Sequence, residues 1–155
     1  MLYTYEFEFF KDGKYFVVIP FDWDGATQGK NEKDAAFMAA DWLKIMIDHH
    51  LMHNLPIPEA TFGNEPQNGG KTMIVAIEAS LDAIRAVRAY EAAEILGVSR
   101  GRVSQMVDQY LLEGFKKGRD VFITMDSINA RLKEARRFRL PKKSKADKQE
   151  TITAS

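Results

Sequence analysis

Net charge changes sign within this 155-residue chain. Residues 1–84 contain 6 Lys, no Arg and 13 Asp or Glu, a net charge of −7, whereas residues 85–155 contain 16 Lys or Arg and 9 Asp or Glu, a net charge of +7. The spacing of apolar residues changes at the same place, from mixed strand and helix patterns to helical patterns throughout. The sequence therefore predicts two modules, 1–84 and 85–138, and a basic polar tail, 139–155, that we expect to be disordered. The alternative is that the opposite charges neutralise each other within one fold or one dimer.

The first module is predicted to be a small antiparallel sheet with one long helix. Its first segment, Tyr3 to Phe9, alternates aromatic and polar residues, which is typical of a strand with one buried face. Asp12-Gly13 predicts a tight hairpin turn after it. Asn31 can cap a helix, and apolar residues at steps of three and four then predict a helix of roughly twenty residues. The expected strands lie at 3–9, 15–19, near 27, and 72–77.

A helix-turn-helix is the strongest motif of the second module. Ala93 is small where two helices would cross, Gly97 ends the first helix, and Ser99 can cap the second. The second helix is predicted to run from Arg100 to Leu112. A hairpin around Lys117-Gly118 and a further helix, residues 126–137, complete the module. We therefore expect an α+β protein in which a sheet-and-helix module precedes a mostly helical, winged module. The apolar residues that would form the joint core of the two helices are Leu96, Val98, Val103 and Met106.

Exposed polar and basic side chains of this module predict contacts with DNA. The N-terminal part of the second helix is the part that reaches base edges in the major groove. Basic side chains of the following hairpin are placed to bind phosphates. The alternative is a helical hairpin that is basic without binding DNA. The residues to which we assign DNA binding are Ser99, Arg100, Arg102, Ser104, Gln105, Lys116, Lys117 and Arg119.

Residues 90–132 resemble the winged helix-turn-helix of MerR-like and excisionase-like domains. The resemblance rests on the helix-turn-helix together with the segments 115–124 and 126–128. One position departs, because Tyr110 stands where such sequences usually have Gly after the recognition helix. Tyr is unfavourable in a left-handed helix cap, so we expect this helix end or the wing to have a different shape here.

Residues 3–78 resemble the HicB antitoxin family. The resemblance rests on the strand–turn–strand start, the segment 22–29 (DWDGATQG), Asp34-Ala35 in the helix, and the segment 56–59 (PIPE). The chain departs from the family by one extra residue around position 21. The resemblance implies a partial RNase H-like fold without nuclease activity, which binds and blocks a small basic mRNA-cleaving toxin. The residues to which we assign toxin binding are Asp22, Trp23, Asp24 and Gln28.

Together the two resemblances imply the antitoxin of a type II toxin–antitoxin pair that also represses its own operon. The implied partners are a cognate basic toxin and double-stranded operator DNA. Because helix-turn-helix proteins bind palindromic half-sites with two-fold symmetry, we expect a homodimer or a larger homo-oligomer. The alternative function is a stand-alone transcriptional regulator or excisionase-like DNA-binding protein, whose first module dimerises or senses a ligand.

A nuclease is the remaining alternative. Glu6, Glu8, Asp22 and Asp24 can be imagined as a two-metal cluster on an RNase H-like sheet. Glu6 and Glu8, however, occupy the polar face of a strand whose aromatic residues claim the core. We interpret that face as solvated or as a protein-binding surface, and we predict no enzymatic activity and no catalytic residues.

Composition limits the other chemistries. The chain contains no cysteine, which excludes disulfides, iron–sulfur clusters and cysteine nucleophiles. His49 and His53 have a spacing compatible with zinc, but no cysteine or distant histidine completes a set, so we predict no metal and no cofactor. No window reaches the ~18 uncharged apolar residues of a membrane-spanning helix. The N-terminus shows no signal-peptide pattern, and we expect a soluble cytoplasmic protein without a membrane partner.

Overall fold

The computed structural model describes residues 1–139. The chain forms two compact units, Met1–Ile84 and a second unit that begins at Arg85. Both contain an antiparallel sheet and helices, which confirms the α+β class. The predicted tail lies outside the described residues, apart from Arg139 at the end of the last helix. No helix within residues 1–139 is long and apolar enough to cross a membrane.

A four-stranded antiparallel sheet forms the body of the first unit, with the strand order β3-β2-β1-β4. The long central strand β1 pairs with β2 on one side and with β4 on the other, for example Phe9 with Val18 and Tyr5 with Val75. The alternation of β1 buries Tyr5, Phe7 and Phe9 on one face, as predicted. The strands are β1 (Leu2–Asp12), β2 (Tyr15–Pro20), β3 (Thr27–Gly29) and β4 (Lys71–Glu78).

One long helix, α1 (Glu32–Met52), covers the aromatic face of this sheet. Its N-cap is the predicted Asn31, whose side-chain oxygen accepts a hydrogen bond of 2.9 Å from the backbone N–H of Asp34. Side chains at steps of four residues are fully buried against the sheet: Ala35, Ala39, Leu43 and Ile47. The alternating strand and the helical stripe therefore form one hydrophobic core, because each buries the only apolar face that it has.

The second unit joins three helices to a small sheet with the strand order β5-β7-β6. Its elements are β5 (Ala86–Arg88), α2 (Ala89–Leu96), α3 (Arg100–Asp108), β6 (Gly114–Lys117), β7 (Asp120–Thr124) and α4 (Met125–Arg139). The expectation that the second module is helical apart from its hairpin is wrong for β5. This strand has three residues, too few for a periodic signal, and it forms because it pairs with β7.

The end of α3 differs from the prediction of a helix that continues to Leu112. The helix stops at Asp108, and the chain reverses at Tyr110, which has a left-handed backbone with φ +59°. The reversal turns Leu112 into the core, where it is 4% exposed. Two backbone N–H groups after Tyr110 close the helix by donating to the Met106 carbonyl, at 2.8 and 3.2 Å. Tyr110 therefore adopts the left-handed conformation in which Gly is usually found. The prediction that Tyr110 gives this helix end a different shape is wrong, because the burial of Leu112 outweighs the cost of a left-handed backbone at Tyr.

Candidate functional site

The connection between α2 and α3 is a tight turn. Gly97 has φ +66°, in the left-handed region that favours glycine. The N–H of Val98 donates to the carbonyl of Ala93 at 3.0 Å, which closes the last turn of α2. Ser99 then caps α3, because its hydroxyl accepts a hydrogen bond from the Arg102 N–H at 3.1 Å. These three local interactions fix the angle at which α3 leaves α2.

The two faces of α3 have opposite characters. Val103 and Met106 are 1% and 8% exposed and pack into the core of the second unit with Ala92 and Ala93. The opposite face is exposed, and it carries polar and basic side chains at the N-terminal end of the helix. These are four of the residues predicted to contact DNA, Arg100, Arg102, Ser104 and Gln105. Packing of the inner face thus determines which side chains α3 presents to solvent.

Arg100 stacks on an aromatic ring. Its guanidinium carbon lies 5.6 Å from the centroid of the Tyr90 ring, in cation–π geometry. Tyr90 belongs to the first turn of α2, so the stacking limits the orientations of a side chain at the exposed end of α3. Tyr90 is not identifiable from the sequence, because a single aromatic residue at the start of a helix carries no distinctive signal.

A shallow depression of about 210 Å³ lies where the starts of α2 and α3 meet the β6–β7 hairpin. Three arginines line it, together with Tyr90 and one acidic residue, Asp120. Arg88 and Asp120 form an ion pair at 3.4 Å, with both side chains about half exposed. Two of the arginines, Arg100 and Arg119, were predicted from the sequence, whereas Arg88 was not, since β5 was not recognised. The depression joins the exposed end of α3 to the hairpin as one basic surface.

The β6–β7 hairpin carries the other predicted basic residues. Lys116, Lys117 and Arg119 are all exposed. Its strand β7 fastens the hairpin to the unit, because β7 pairs with β5 and its Ile123 is fully buried in the core. Within the hairpin, Phe115 stacks on Phe122 with ring centroids 5.8 Å apart. Its basic side chains therefore project from an anchored strand pair rather than from an isolated loop.

The residues assigned to toxin binding differ in their exposure. Asp24 and Gln28 are exposed. Asp22 accepts two hydrogen bonds from Thr61, from its N–H at 2.9 Å and from its hydroxyl at 2.7 Å. Trp23 is 8% exposed and belongs to the core, where its ring lies edge-on to Tyr5. These positions leave the two aspartates and Gln28, and not the tryptophan ring, at the surface.

The interpretation of Glu6 and Glu8 as a solvated or protein-binding face is wrong. Their side chains are 7% and 2% exposed, although they lie on the face of β1 opposite the aromatic core. Residues 61–70, which we call the loop 61–70, cover them and donate hydrogen bonds to both carboxylates. The sequence signal that points to this arrangement is the run of Gly and Asn between residues 63 and 70, which supplies unobstructed backbone N–H groups.

Backbone amides of the loop 61–70 satisfy both carboxylates. Glu6 accepts from the N–H groups of Gly63 and Asn64 at 2.8 and 2.9 Å, and these bonds lower its pKa. Burial alone would raise the pKa of Glu8, but hydrogen bonds from Gln67, Asn68 and Gly70 outweigh it and the pKa is lowered. Both groups are therefore held in the charged form by the chain itself.

Gly70 is also required for close packing. A Cβ at this position would lie 2.1 Å from the carbonyl oxygen of Phe9, so a side chain there forces the backbone apart. The loop thus rests directly on the central strand of the sheet.

The three histidines lie at the C-terminal end of α1. The rings of His49 and His53 are 4.5 Å apart, as their spacing on the helix predicts. His50 points to another side, where Nδ1 lies 2.8 Å from the carbonyl oxygen of Pro56 and the ring packs edge-on against Trp23. His50 and the two aspartates also line a cleft of about 370 Å³.

The chain is similar in structure to a chain of a solved toxin–antitoxin complex from Streptococcus pneumoniae. The two share 16% sequence identity and superpose with a TM-score of 0.46, over 71% of this chain and 99% of the other. Because the TM-score is below 0.5, the likeness supports no conclusion about function. No family model matches this chain, and no curated protein matches its sequence.

Proposed function

We propose that this chain is the antitoxin of a type II toxin–antitoxin pair. Its first unit binds and inhibits a small basic mRNA-cleaving toxin, and its second unit represses the operon by binding double-stranded DNA. In this proposal α2, α3 and the β6–β7 hairpin act as a winged helix-turn-helix, and the protein works in the cytoplasm as a homodimer or a larger homo-oligomer.

The observation that carries the proposal is the exposed basic surface formed by α3 and the hairpin. Arg100, Arg102 and Gln105 lie at the end of a helix whose opposite face is locked into the core. Arg and Gln are side chains that form paired hydrogen bonds with guanine and adenine edges in the major groove. Lys116 and Lys117 provide the positive charge that phosphates attract, without base selectivity. This combination supports DNA as the partner of the second unit.

Charge supports a different partner for the first unit. Its net charge of −7 repels nucleic acid and attracts a basic protein. The resemblance of residues 3–78 to HicB antitoxins points to a basic toxin in particular.

We propose no catalytic role for the sheet of the first unit. The carboxylates of Glu6 and Glu8, which a two-metal nuclease would need, already accept hydrogen bonds from the loop 61–70. Recruiting them to a metal would require that loop to leave the sheet. The proposed function therefore rests on binding and needs no cofactor.

DNA binding is tested with the full-length protein and the DNA upstream of its own gene, by fluorescence anisotropy. Arg100→Ala and Arg102→Ala are each expected to weaken specific binding by about 1–3 kcal/mol if the side chain contacts a base. Arg137→Ala, which removes the same charge from an exposed position on α4, is the matched control. Binding by the double variant R100A/R102A that equals the wild type contradicts the assignment.

Toxin inhibition is tested by co-expression with the small basic protein encoded beside this gene. The expected results are growth arrest by that protein alone, rescue by this chain, and co-purification of the two. A neighbouring protein that neither arrests growth nor co-purifies contradicts the antitoxin function.

The cleft beside Asp22, Asp24 and His50 favours the second candidate function, a stand-alone regulator whose first unit senses a ligand. That function predicts DNA binding without a basic protein partner. Both candidate functions predict DNA binding, and only the antitoxin function predicts that the neighbouring basic protein is neutralised. The co-expression experiment therefore separates the two candidates.

A further inference from the structure

Three carboxylates anchor the loop 61–70. It contains no helix or strand, yet carboxylates from two separate parts of the chain hold it at both ends and in the middle. Asp22 binds Thr61, Glu6 binds Gly63 and Asn64, and Glu8 binds Gln67, Asn68 and Gly70. The bonds that these three carboxylates accept from backbone N–H groups are 2.8 to 3.3 Å long.

This anchoring fixes the conformation of the loop in the isolated protein. Charged acceptors form stronger hydrogen bonds than neutral ones, and the two glutamates are shielded from water. A loop that is ordered before a partner arrives loses less conformational entropy when the partner binds than a loop that must first become ordered. Such a segment is suited to present a side chain to another protein.

The side chain that the loop presents is Phe62. It is 56% exposed and stands between Thr61 and Gly63, both of which donate to carboxylates. Aromatic side chains held in this way supply the apolar anchor of many protein interfaces. Phe37 on α1 is 69% exposed and is the obvious competitor within the same unit.

Charge distinguishes the two aromatic residues. No Lys or Arg occurs in 48–70 or in 15–29, the segments that carry Phe62 and its anchor Asp22. Exposed acidic residues flank Phe62 instead, at Glu59 and Glu65. The helix around Phe37 is mixed in charge, since Lys33 and Lys44 alternate with acidic residues. Lys11 and Lys71 lie at the other end of the loop, beside Gly69 and Gly70. Of the two exposed phenylalanines, Phe62 is therefore the one whose neighbouring charged residues along the chain are acidic.

We propose that the loop 61–70 is a preformed docking surface for a basic protein, with Phe62 as the apolar anchor and Glu59, Glu65 and Asp24 as the acidic rim. This inference rests on the proposed function and names the surface through which the first unit binds its toxin. Glu6 and Glu8 act as positioning residues, because they hold the loop and do not touch the partner.

The test uses the full-length chain and the small basic protein encoded beside its gene, with binding measured by biolayer interferometry. Phe62→Ala is expected to weaken binding at least ~10-fold, because the anchor of a docking surface dominates its affinity. Phe37→Ala is the matched control and is expected to change binding less than ~2-fold. Glu65→Lys is expected to slow association several-fold at low salt, and the difference is expected to shrink as salt rises.

A separate variant tests the positioning role. Glu6→Gln is expected to accelerate hydrogen exchange at the amides of Gly63 and Asn64, because an amide side chain replaces an acceptor that both of them need. The same variant is expected to weaken binding while Phe62 is intact. Faster exchange with unchanged affinity contradicts the requirement for a preformed loop.

The outcomes distinguish this inference from the proposed function. If the wild-type chain does not bind the basic protein, the proposed function fails and the docking surface fails with it. If the wild type binds and Phe62→Ala binds equally well, the docking surface alone is wrong. A loss of binding in Phe37→Ala but not in Phe62→Ala would show that the interface lies on α1, and it would also contradict the docking surface at the loop 61–70.

Discussion

The two units use their charged side chains in opposite ways. In the first unit, Glu6 and Glu8 are buried and their oxygen atoms accept hydrogen bonds from the loop 61–70. In the second unit, Arg100 and Arg102 lie at the surface. Arg100 packs on the Tyr90 ring, and the guanidinium of Arg102 lies 3.5 Å from the side-chain oxygen of Gln105. Buried charged side chains therefore stabilise the structure of the first unit, whereas these charged side chains of the second unit are presented to solvent.

The physical reason is the cost of removing a charge from water. A buried carboxylate is tolerated only when hydrogen bonds replace its hydration, so its donors become part of the fold. An exposed guanidinium keeps its hydration and needs no internal donor or acceptor. Several exposed cations can therefore gather on one surface, where only an anionic partner neutralises them.

The largest effect is expected from the core of the first unit. Phe7→Ala removes a fully buried ring and is expected to lower the free energy of unfolding of that unit by about 3–5 kcal/mol. Both tryptophans, Trp23 and Trp42, belong to this unit, so tryptophan fluorescence during thermal denaturation reports on it alone.

The matched control lies in the core of the second unit. Ile128→Ala creates a cavity in the core of the second unit and is expected to leave the tryptophan transition unchanged. Hydrogen exchange at the Val103 amide should show the loss of stability instead. A fluorescence transition that shifts equally in both variants would show that the units unfold as one.

A smaller effect is expected from Glu8. Glu8→Gln removes a charged acceptor of several hydrogen bonds and is expected to lower the free energy of unfolding by about 1–3 kcal/mol. Glu59→Gln, at an exposed position before the loop, is the control and should change it little. Equal stability of the two variants would mean that the loop 61–70 does not depend on the carboxylate.

The same carboxylates predict a pH dependence. The pKa values of Glu6 and Glu8 are lowered in the folded state, so their contribution to stability is present at neutral pH. It is lost as pH falls from the ordinary range of Glu, about 4.3, through the lowered folded values. Chemical denaturation across this range should give a steeper loss for the wild type than for Glu8→Gln. Parallel curves would contradict the lowered pKa of Glu8.

Tyr110 tests the left-handed turn after α3. Tyr110→Gly is expected to raise the free energy of unfolding of the second unit by up to about 1 kcal/mol, since Gly removes the strain but adds freedom to the unfolded chain. Tyr110→Ala keeps a β-carbon in the same conformation and should give no gain. Denaturant titration of both variants decides, and a gain in Tyr110→Ala would exclude backbone strain as the cause.

The smallest effect is expected at the stacked pair of Tyr90 and Arg100. Tyr90→Leu is expected to weaken DNA binding by about 0.5–1 kcal/mol, because Arg100 loses the ring that orients it. Tyr90→Phe keeps the ring and should bind as the wild type does. If the Leu and Phe variants bind equally, stacking does not position Arg100.

Patterns that repeat along the chain predicted most of the fold. The alternation of β1 and the four-residue steps of α1 were read correctly because each pattern extends over several turns or strand residues. The strand β5 was not predicted, because three residues are too few to show a period and the strand forms through its pairing with β7. The end of α3 at Asp108 was not predicted either, because it depends on the burial of Leu112, which is a tertiary effect.

The candidate sites show the same limit. The exposure of Arg100 and Arg102 follows from helix periodicity and could be predicted. The burial of Glu6 and Glu8 does not follow from periodicity, because their donors lie more than fifty residues away in an irregular loop. Alternation along a strand identifies the polar face, but it does not reveal whether water or another part of the chain covers that face.

The double variant R100A/R102A tests whether the two units bind two different partners, a basic protein for the first unit and DNA for the second. Full-length wild type and variant are compared in two assays, anisotropy with DNA from upstream of the gene and rescue of growth from the neighbouring basic protein. The variant is expected to lose about 30-fold or more in affinity for DNA while it rescues growth as well as the wild type does. A variant that retains DNA binding, or one that loses DNA binding and rescue together while folded, would contradict the division of function between the units.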